Sequence, residues 1–301
     1  MTHRPVAVIT GATSGLGRIT ALELAGRGYR LGVVARSRAR AQALLADLRA
    51  AAPGAPADVF LADLSLVSEA RRLGEEIAAA YPRLDVLVNN AGVHAFSQRV
   101  TSEGLAEMTA VNHLAPFALT AALIPTLAAG GPSRVVNVAS EAARHARGIS
   151  PRADLRRTDP YTRRESMVRY GRTKLMTIMW TQELARRLDA TRTTANCCDP
   201  GFNTTGLGRD LPGAEPLRRL LGALRVGDPR RGASVIVRLA TAPDLARTTG
   251  AYVSVRDAAP LPCPAPGRDE SVQRELWEET AALLGELGET GPETGSAERP
   301  A

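Results

Sequence analysis

Residues 5–17 read Pro-Val-Ala-Val-Ile-Thr-Gly-Ala-Thr-Ser-Gly-Leu-Gly, and this stretch decides how the chain begins to fold. Its first half is apolar and rich in β-branched residues, and a helical pattern follows the glycines as far as Gly28, which predicts a strand, a turn and a helix. Gly11 would allow the turn, Gly15 would let the backbone approach a pyrophosphate, and Gly17 would allow close packing of the helix on the strand. The N-terminus of the helix would then offer N–H groups to phosphates. The alternative is a tight structural turn that binds no ligand.

The same alternation of apolar runs and helical patterns continues towards the end of the chain. Further predicted strands lie at 30–35, 57–62, 84–88, 134–138, 192–197 and 250–255. Predicted helices lie near 38–51, 66–80, 170–189, 229–241 and 269–285. Strands that alternate with helices indicate a parallel sheet covered on both faces. The sequence therefore predicts an α/β, single-domain, doubly wound (Rossmann) fold with a seven-stranded parallel sheet flanked by helices, over residues 1–287, followed by a disordered tail at 288–301.

Polar residues follow several predicted strands, at the edge where an open parallel sheet binds ligands. Arg36 follows the second strand, where an NAD site would usually carry a carboxylate, so it favours the 2′-phosphate of NADP; a surface arginine is the alternative. Asp63 follows the third strand, beside Leu64, and could meet an adenine amino group. The stretch 89–92, Asn-Asn-Ala-Gly, follows the fourth strand and would face the same crevice, unless it is only a loop.

A second motif, Tyr170-Gly-Arg-Thr-Lys174, suggests acid–base chemistry. Lys174 is the only lysine in a chain whose lysines and arginines together number 38. A tyrosine and a lysine four residues apart share one face of a helix, so the ammonium would lower the pKa of the neighbouring phenol. Tyr170 would then be a proton donor and acceptor. The alternative is a surface tyrosine and a solvated lysine on an ordinary helix.

Composition excludes other classes of function. The net charge is +7, but the arginines are spread along the chain and only 4% of residues are aromatic, so we expect no nucleic-acid partner. The three cysteines have no metal-type spacing, which predicts neither a metal site nor a disulfide framework. The apolar run near the N-terminus is too short for a signal peptide or a membrane span. We therefore expect a soluble cytoplasmic protein with no membrane association.

Taken together and in this order, the motifs resemble those of the short-chain dehydrogenase/reductase family, over about residues 5–287. Within the family the chain is most similar to the retinol-dehydrogenase-like branch. The matching motifs are Thr10-Gly11-x-x-x-Gly15-x-Gly17, Asp63-Leu64, Asn89-Asn90-Ala91-Gly92, Val111-Asn112-His113-Leu114, Ser140, Tyr170-x-x-x-Lys174, Asn196 and Pro200-Gly201.

The resemblance implies hydride transfer between the nicotinamide of NADP(H) and an alcohol or carbonyl carbon. It implies that Tyr170 exchanges a proton with the substrate oxygen, Ser140 hydrogen-bonds that oxygen, Lys174 holds the nicotinamide ribose, and Asn112 anchors a water that leads to Lys174. It also implies a homodimer or homotetramer. The cofactor-binding residues that it implies are Gly11, Thr13, Ser14, Gly15, Leu16, Gly17, Arg36, Asp63, Leu64, Asn90, Ala91, Gly92, Tyr170, Lys174, Pro200, Gly201, Thr204 and Thr205.

Two segments would shape the substrate site. The resemblance suggests that residues 202–226 form a lid that closes over the substrate. The long connection 141–169 carries eight arginines, and we expect it to line the substrate pocket, with Arg144, His145 and Arg147 nearest the chemistry. An anionic substrate or acidic carrier is one hypothesis for this charge, and a solvated loop is the other.

The chain departs from its relatives at position 199, where Asp precedes Pro-Gly, and the sequence alone offers no physical reason for this. The substrate is expected to be a small lipophilic alcohol or carbonyl compound, such as a secondary metabolite. Two alternatives stay open at this point: a redox-neutral epimerase or dehydratase that uses the same tyrosine, and a nonenzymatic NADP-sensing protein on the same scaffold.

Overall fold

A computed structural model describes residues 4–201 and 228–289 of the chain. Seven parallel strands form one sheet: β1 Val6–Thr10, β2 Arg30–Ala35, β3 Ala57–Leu61, β4 Val86–Asn89, β5 Ser133–Val138, β6 Thr193–Asp199 and β7 Tyr252–Ser254. The α-helices are α1 Gly15–Gly26, α2 Arg38–Ala51, α3 Val67–Ala80, α4 Glu107–Gly130, α5 Pro151–Arg156, α6 Ser166–Arg187, α7 Pro229–Thr241 and α8 Glu270–Glu289. The predicted doubly wound fold is confirmed.

Helices cover both faces of the sheet and divide its core into two clusters. Residues of α3, α4, α6 and α8 pack on one face, and residues of α1, α2 and α7 pack on the other. All five residues of β1 and all seven of β6 are buried, as expected for central strands that contact helices on both sides. This burial explains why the strands read as nearly continuous apolar runs.

The strand order is β3-β2-β1-β4-β5-β6-β7, so the direction of winding reverses between β1 and β4. From β1 the chain first builds outwards to β3 and then returns to start β4 on the other side of β1. The connections after β1 and β4 therefore diverge and leave a crevice beyond the carboxyl ends of these two strands. The glycine turn after β1 opens into this crevice.

Several element boundaries differ from the sequence prediction. The connection 141–169 is more ordered than a loop: it contains a 3₁₀ turn at Glu141–His145, the helix α5 and the first turn of α6. Helix α6 begins at Ser166, four residues before the predicted start. Helix α8 extends to Glu289, into the predicted tail, and the rest of that tail and the predicted lid 202–226 lie outside the described residues.

Pro116 does not interrupt the helix α4. A π turn at Ala110–Leu114 precedes it within α4, and Pro116 lies in the first turn of the α-helical segment that follows. Because proline lacks an N–H, it cannot bond to the carbonyl of Asn112 four residues earlier. That carbonyl instead accepts a hydrogen bond from the Thr177 hydroxyl on α6, at 3.4 Å.

Helix α4 is also long and apolar enough to span a bilayer by composition alone. In the fold it is a core helix: 61% of its most apolar window is buried, mainly against α3 and the sheet. His113 in this helix is fully buried and shares a 2.8 Å hydrogen bond with Thr280 of α8. The apolar character of α4 is thus accounted for by packing within the protein.

Candidate active site

A cleft of about 670 Å³ opens at the carboxyl ends of the central strands. Most of the predicted site residues line it: Gly11, Thr13, Ser14, Gly15, Leu16, Arg36, Asp63, Leu64, Asn90, Ala91, Gly92, Ser140, Tyr170, Lys174, Pro200 and Gly201. Gly17 and Asn112 lie behind its wall. Thr204 and Thr205 lie outside the described residues.

The glycine turn has a shape that other residues could not adopt. Gly11 has φ +66° and Gly15 has φ +53°, in the left-handed region that favours glycine. A Cβ on Gly17 would lie 2.4 Å from the Gly11 carbonyl oxygen and 2.5 Å from Nδ2 of Asn90. Gly17 therefore brings α1 against the turn, whereas Gly11 and Gly15 form the cleft surface itself.

Asn90 and Thr10 join the two strand ends that flank the crevice. The Asn90 side chain donates to the Thr10 carbonyl at 2.9 Å, and the Thr10 hydroxyl accepts the backbone N–H groups of Asn90 and Ala91, each at 3.0 Å. The neighbouring Asn89 belongs to β4, is buried, and bonds to Asn137 at 2.8 Å. Of the two asparagines predicted to face the crevice, Asn89 is a buried residue of the strand and Asn90 lines the cleft.

The end of the cleft beyond β2 is cationic. Arg36 lines it, and so do Ser37 and Arg40, which the sequence reasoning missed. Both guanidinium groups are exposed, and within residues 4–201 and 228–289 no carboxylate pairs with either of them. Arg40 lies four residues after Arg36, in the first turn of α2, and this spacing could have predicted that both arginines reach the cleft. A phosphate ester at this end would meet two arginine guanidinium groups and the Ser37 hydroxyl.

Ser140, Tyr170 and Lys174 meet at the opposite end of the cleft. A side-chain hydrogen bond links the Ser140 hydroxyl to the Tyr170 phenol. Lys174 Nζ donates to the Val138 carbonyl at 2.8 Å and lies 5.8 Å from the centre of the Tyr170 ring. The tyrosine and the lysine are 6% and 4% exposed, so the surface alternative for this pair is wrong.

The predicted electrostatic effect of Lys174 on Tyr170 is not found in this arrangement. Burial raises the pKa of Tyr170 well above its ordinary value, and the charge of Asp199 raises it further. The hydrogen bond from Ser140 acts in the opposite direction and lowers this pKa. Burial also lowers the pKa of Lys174 to about 8. The expectation that the ammonium lowers the phenol pKa was wrong because it neglected the desolvation of both groups. At neutral pH the phenol is a proton donor.

Asn112 is occupied by protein contacts. Its side-chain oxygen accepts the Val93 N–H at 2.8 Å, and its Nδ2 donates to the Val93 carbonyl at 2.9 Å and to the Thr173 hydroxyl at 3.0 Å. These bonds hold the loop after β4 against the helix that carries Tyr170. The water-anchoring role implied by the resemblance stays a prediction.

The sequence reasoning also missed His94. Its ring stacks on the Tyr170 ring, with centroids 4.7 Å apart and planes 23° from parallel, and its Nε2 is 3.3 Å from the Ser166 hydroxyl. Because the Ser166 hydroxyl donates to the Arg163 carbonyl at 2.7 Å, it accepts from His94. Burial lowers the His94 pKa, so the ring is neutral near pH 7. No motif marks this residue, which reaches the tyrosine only through the fold.

Arg144, His145 and Arg147, predicted to lie near the chemistry, do not line the cleft in the described part of the chain. Arg144 is exposed and pairs with Glu141 at 3.3 Å. Other arginines of the segment are also paired: Arg156 with Glu286 at 2.6 Å, and Arg169 with Asp159. Much of this charge is therefore neutralised by the chain's own carboxylates.

Comparison with known proteins agrees with this geometry. A family profile described as short chain dehydrogenase matches residues 5–150. Mouse retinol dehydrogenase 14 is 36% identical over 299 residues, covering 95% of this chain and 87% of that protein. A candidate daunorubicin C-13 ketoreductase, DnrU, from Streptomyces sp. (strain C5) is 36% identical, covering 93% and 92%. A crystal structure from Beutenbergia cavernae, of a candidate NAD(P)-dependent gluconate 5-dehydrogenase with bound NADP, is 25% identical with a TM-score of 0.63, covering 83% and 94%.

Proposed function

This chain belongs to the short-chain dehydrogenase family, and from that premise we propose that it is an NADP(H)-dependent oxidoreductase that interconverts a carbonyl group and an alcohol in a small lipophilic substrate. The observation that carries the proposal is the position of Ser140, Tyr170 and Lys174 at one end of a cleft whose other end holds two arginines that have no carboxylate partner among the described residues. The separation of these two ends suits an extended dinucleotide with its reactive ring beside the phenol.

The residues of the cleft fit NADP(H). The turn at Gly11 and Gly15 offers backbone N–H groups at the start of α1 to the pyrophosphate, and a Cβ on Gly11 would lie only 3.0 Å from the Ala91 Cα. Arg36 and Arg40 would hold the 2′-phosphate, while an NAD site would present a carboxylate in this place. When bound, NADPH supplies the hydride for carbonyl reduction. A solved structure with bound NADP in the comparison set supports the same cofactor.

The chain's own residues manage the charge that develops on the substrate oxygen. The neutral Tyr170 phenol donates its proton to that oxygen, and the Ser140 hydroxyl donates a hydrogen bond to the same atom. Lys174, with a pKa of about 8, is mostly charged at neutral pH and, as the resemblance implies, would hold the nicotinamide ribose. In the oxidative direction the same groups act in reverse.

The substrate end of the cleft favours a neutral, ring-bearing molecule. His94 faces the cleft beside Tyr170, and Phe96 packs against His94 with ring centroids 4.7 Å apart. Tyr161 supports this aromatic wall by donating to the carbonyls of Ala95 and Ser97, at 3.0 Å and 2.9 Å. The internal pairing of the segment's arginines argues against an anionic substrate. The names of the relatives, which refer to retinol and to a ketone reduction at C-13 of daunorubicin, support a lipophilic substrate.

The test is NADPH oxidation, followed by absorbance, with a panel of lipophilic ketones and aldehydes. We expect turnover with at least one ring-bearing carbonyl, and a loss of about 10²-fold or more in Tyr170→Phe, which keeps the ring but lacks the proton. Comparable NADPH affinity in the variant would show that the cleft is intact. Conversion of a substrate with no net change in NADPH would instead indicate a redox-neutral epimerase or dehydratase. Unchanged turnover in Tyr170→Phe would refute the assigned chemistry.

A further inference from the structure

Asp199, the residue for which the sequence offered no reason, lies beside the catalytic serine. It ends β6 and is only 6% exposed. Its Oδ1 accepts the backbone N–H of Glu141 at 2.9 Å, and its carboxylate also accepts the backbone N–H of Gly201. One buried side chain therefore bonds to the two segments, after β5 and after β6, that flank the reactive end of the cleft.

The bond to Glu141 controls the orientation of Ser140. The Ser140–Glu141 peptide begins the 3₁₀ turn at Glu141–His145, and Ser140 itself is extended, with φ −169° and ψ 150°. Its hydroxyl is held between the Ala142 N–H, at 3.2 Å, and the Tyr170 phenol. Because the Glu141 N–H belongs to the same peptide unit as the Ser140 carbonyl, fixing it fixes the direction in which the serine side chain leaves the backbone.

The negative charge of Asp199 destabilises the folded state in this position. Its pKa is raised by burial, and the charge of Arg144, which opposes this rise, belongs to a side chain that is 57% exposed. Burying a carboxylate without a close cation costs stability even when backbone N–H groups satisfy it. An asparagine here would offer one acceptor oxygen in place of two and would turn an NH2 donor towards these amides, so an uncharged side chain of this size would not make the same contacts.

We propose that Asp199 is a positioning residue of the reaction: by bonding to the Glu141 and Gly201 amides it fixes the Ser140 hydroxyl and the Pro200–Gly201 turn on opposite sides of the reacting atoms. This role rests on the proposed oxidoreductase function. The charge adds a second effect, because it raises the pKa of Tyr170 and so favours the protonated phenol that donates to a carbonyl oxygen.

Other ionisable groups surround the Asp199 carboxylate and the Tyr170 phenol and also contribute to the electrostatic potential at these two groups. Those near the Asp199 carboxylate are Glu141, Arg144, Cys198, Asp228, Arg231, Tyr252 and Arg256. Those near the Tyr170 phenol are His94 and Lys174.

The experiment compares Asp199→Asn with Asp257→Asn. The first removes the buried charge and one acceptor oxygen at nearly constant shape, and the second makes the same chemical change at an exposed side chain outside the cleft. We expect kcat/KM for carbonyl reduction to fall about 10-fold or more in Asp199→Asn, because a misplaced catalytic group can cost up to about 10²-fold. The loss should appear mainly in kcat, with the KM for NADPH near the wild-type value, because the Ser140 hydroxyl would bond to the reacting oxygen and not to the arginine-lined end of the cleft. Asp257→Asn should show no loss.

Hydrogen exchange of the Glu141 and Gly201 amides gives a readout that does not depend on turnover. Both amides should exchange faster in Asp199→Asn than in the wild type, and Asp199→Ser provides a second variant if the first does not fold. Wild-type kcat/KM together with unchanged amide exchange would overturn the proposal, as would a loss of activity that appears only in the KM for NADPH together with unchanged exchange. If the wild type reduced no carbonyl at all, the proposed function would fail, while the exchange measurement would still decide whether Asp199 holds the two segments.

Discussion

Replacement of Gly17 by alanine tests how tightly the helix α1 is packed on the glycine turn. The added Cβ would lie 2.4 Å from the Gly11 carbonyl oxygen, about 1.0 Å closer than the 3.4 Å at which ordinary contacts begin. The second obstruction, Asn90 Nδ2 at 2.5 Å, is the donor that joins β4 to the Thr10 carbonyl. Neither group can move without disturbing the turn, because one is backbone and the other is hydrogen-bonded to it.

The magnitude follows from three terms. Overpacking of this kind costs about 1–3 kcal/mol. Loss of the Asn90 hydrogen bond would cost a further ~0.5–1.5 kcal/mol. Alanine is favoured over glycine within a helix by about 1 kcal/mol, which offsets part of this. Because the nearest obstruction is backbone, we expect a result towards the upper end, with the free energy of unfolding lower by about 3 kcal/mol.

Gly26→Ala is the matched control, since it makes the same change in the same helix at a position where the Cβ meets nothing within 4 Å. Chemical denaturation should show this variant to be unchanged or up to about 1 kcal/mol more stable. NADPH titration should show Gly17→Ala binding about 10-fold more weakly or worse, because displacement of the Gly11 carbonyl distorts the cradle. Equal stability and equal NADPH affinity in the two variants would refute the packing argument.

Three further predictions concern the ends of the cleft. Arg40→Ala should raise the KM for NADPH about 10-fold or more, because a charge-assisted bond to the phosphate is lost. Arg38 is an exposed arginine outside the cleft, so Arg38→Ala should leave this KM unchanged. Equal effects of the two substitutions would contradict the phosphate assignment. His94→Ala should raise the KM for the carbonyl substrate roughly 2- to 10-fold, because one ring contact is lost. His145 is exposed, so His145→Ala should leave this KM unchanged. Steady-state kinetics with a ring-bearing ketone measure both values. Lys174→Met should abolish turnover yet raise the free energy of unfolding at pH 7, because a folded pKa of about 8 against 10.5 corresponds to about 3 kcal/mol of destabilisation. Between these two pKa values the unfolded wild type binds more protons than the folded form, so wild-type stability rises with pH. The difference in stability between Lys174→Met and the wild type, measured from denaturation curves, should therefore shrink from pH 8 to pH 10.5. A difference independent of pH would contradict the assignment.

Local patterns in the sequence were sufficient for the fold. Strands buried on both faces must be apolar, and helices that cover a sheet must be amphipathic, so the alternation of the two patterns carries the architecture. The bounds of β2, α2 and α7 were predicted to the residue, because each begins or ends at a clear signal such as Ser37 before α2 or Asp228-Pro229 at α7. The connection 141–169 was harder, since its short helix has no strong periodicity.

The sequence by itself determined which residues could do chemistry: the glycine turn, Ser140, and the tyrosine with the lone lysine, whose spacing on a helix requires no knowledge of the rest of the chain. Only the tertiary structure decided how these groups behave. Burial, and not the neighbouring ammonium, dominates the pKa of Tyr170, because desolvation depends on every element packed around the phenol. The stacking of His94 on that ring joins residues 76 positions apart in the chain, because the loop after β4 packs against α6. The bond from Asp199 to the Glu141 amide joins residues 58 positions apart, because the parallel strands β5 and β6 bring their carboxyl ends to one edge of the sheet.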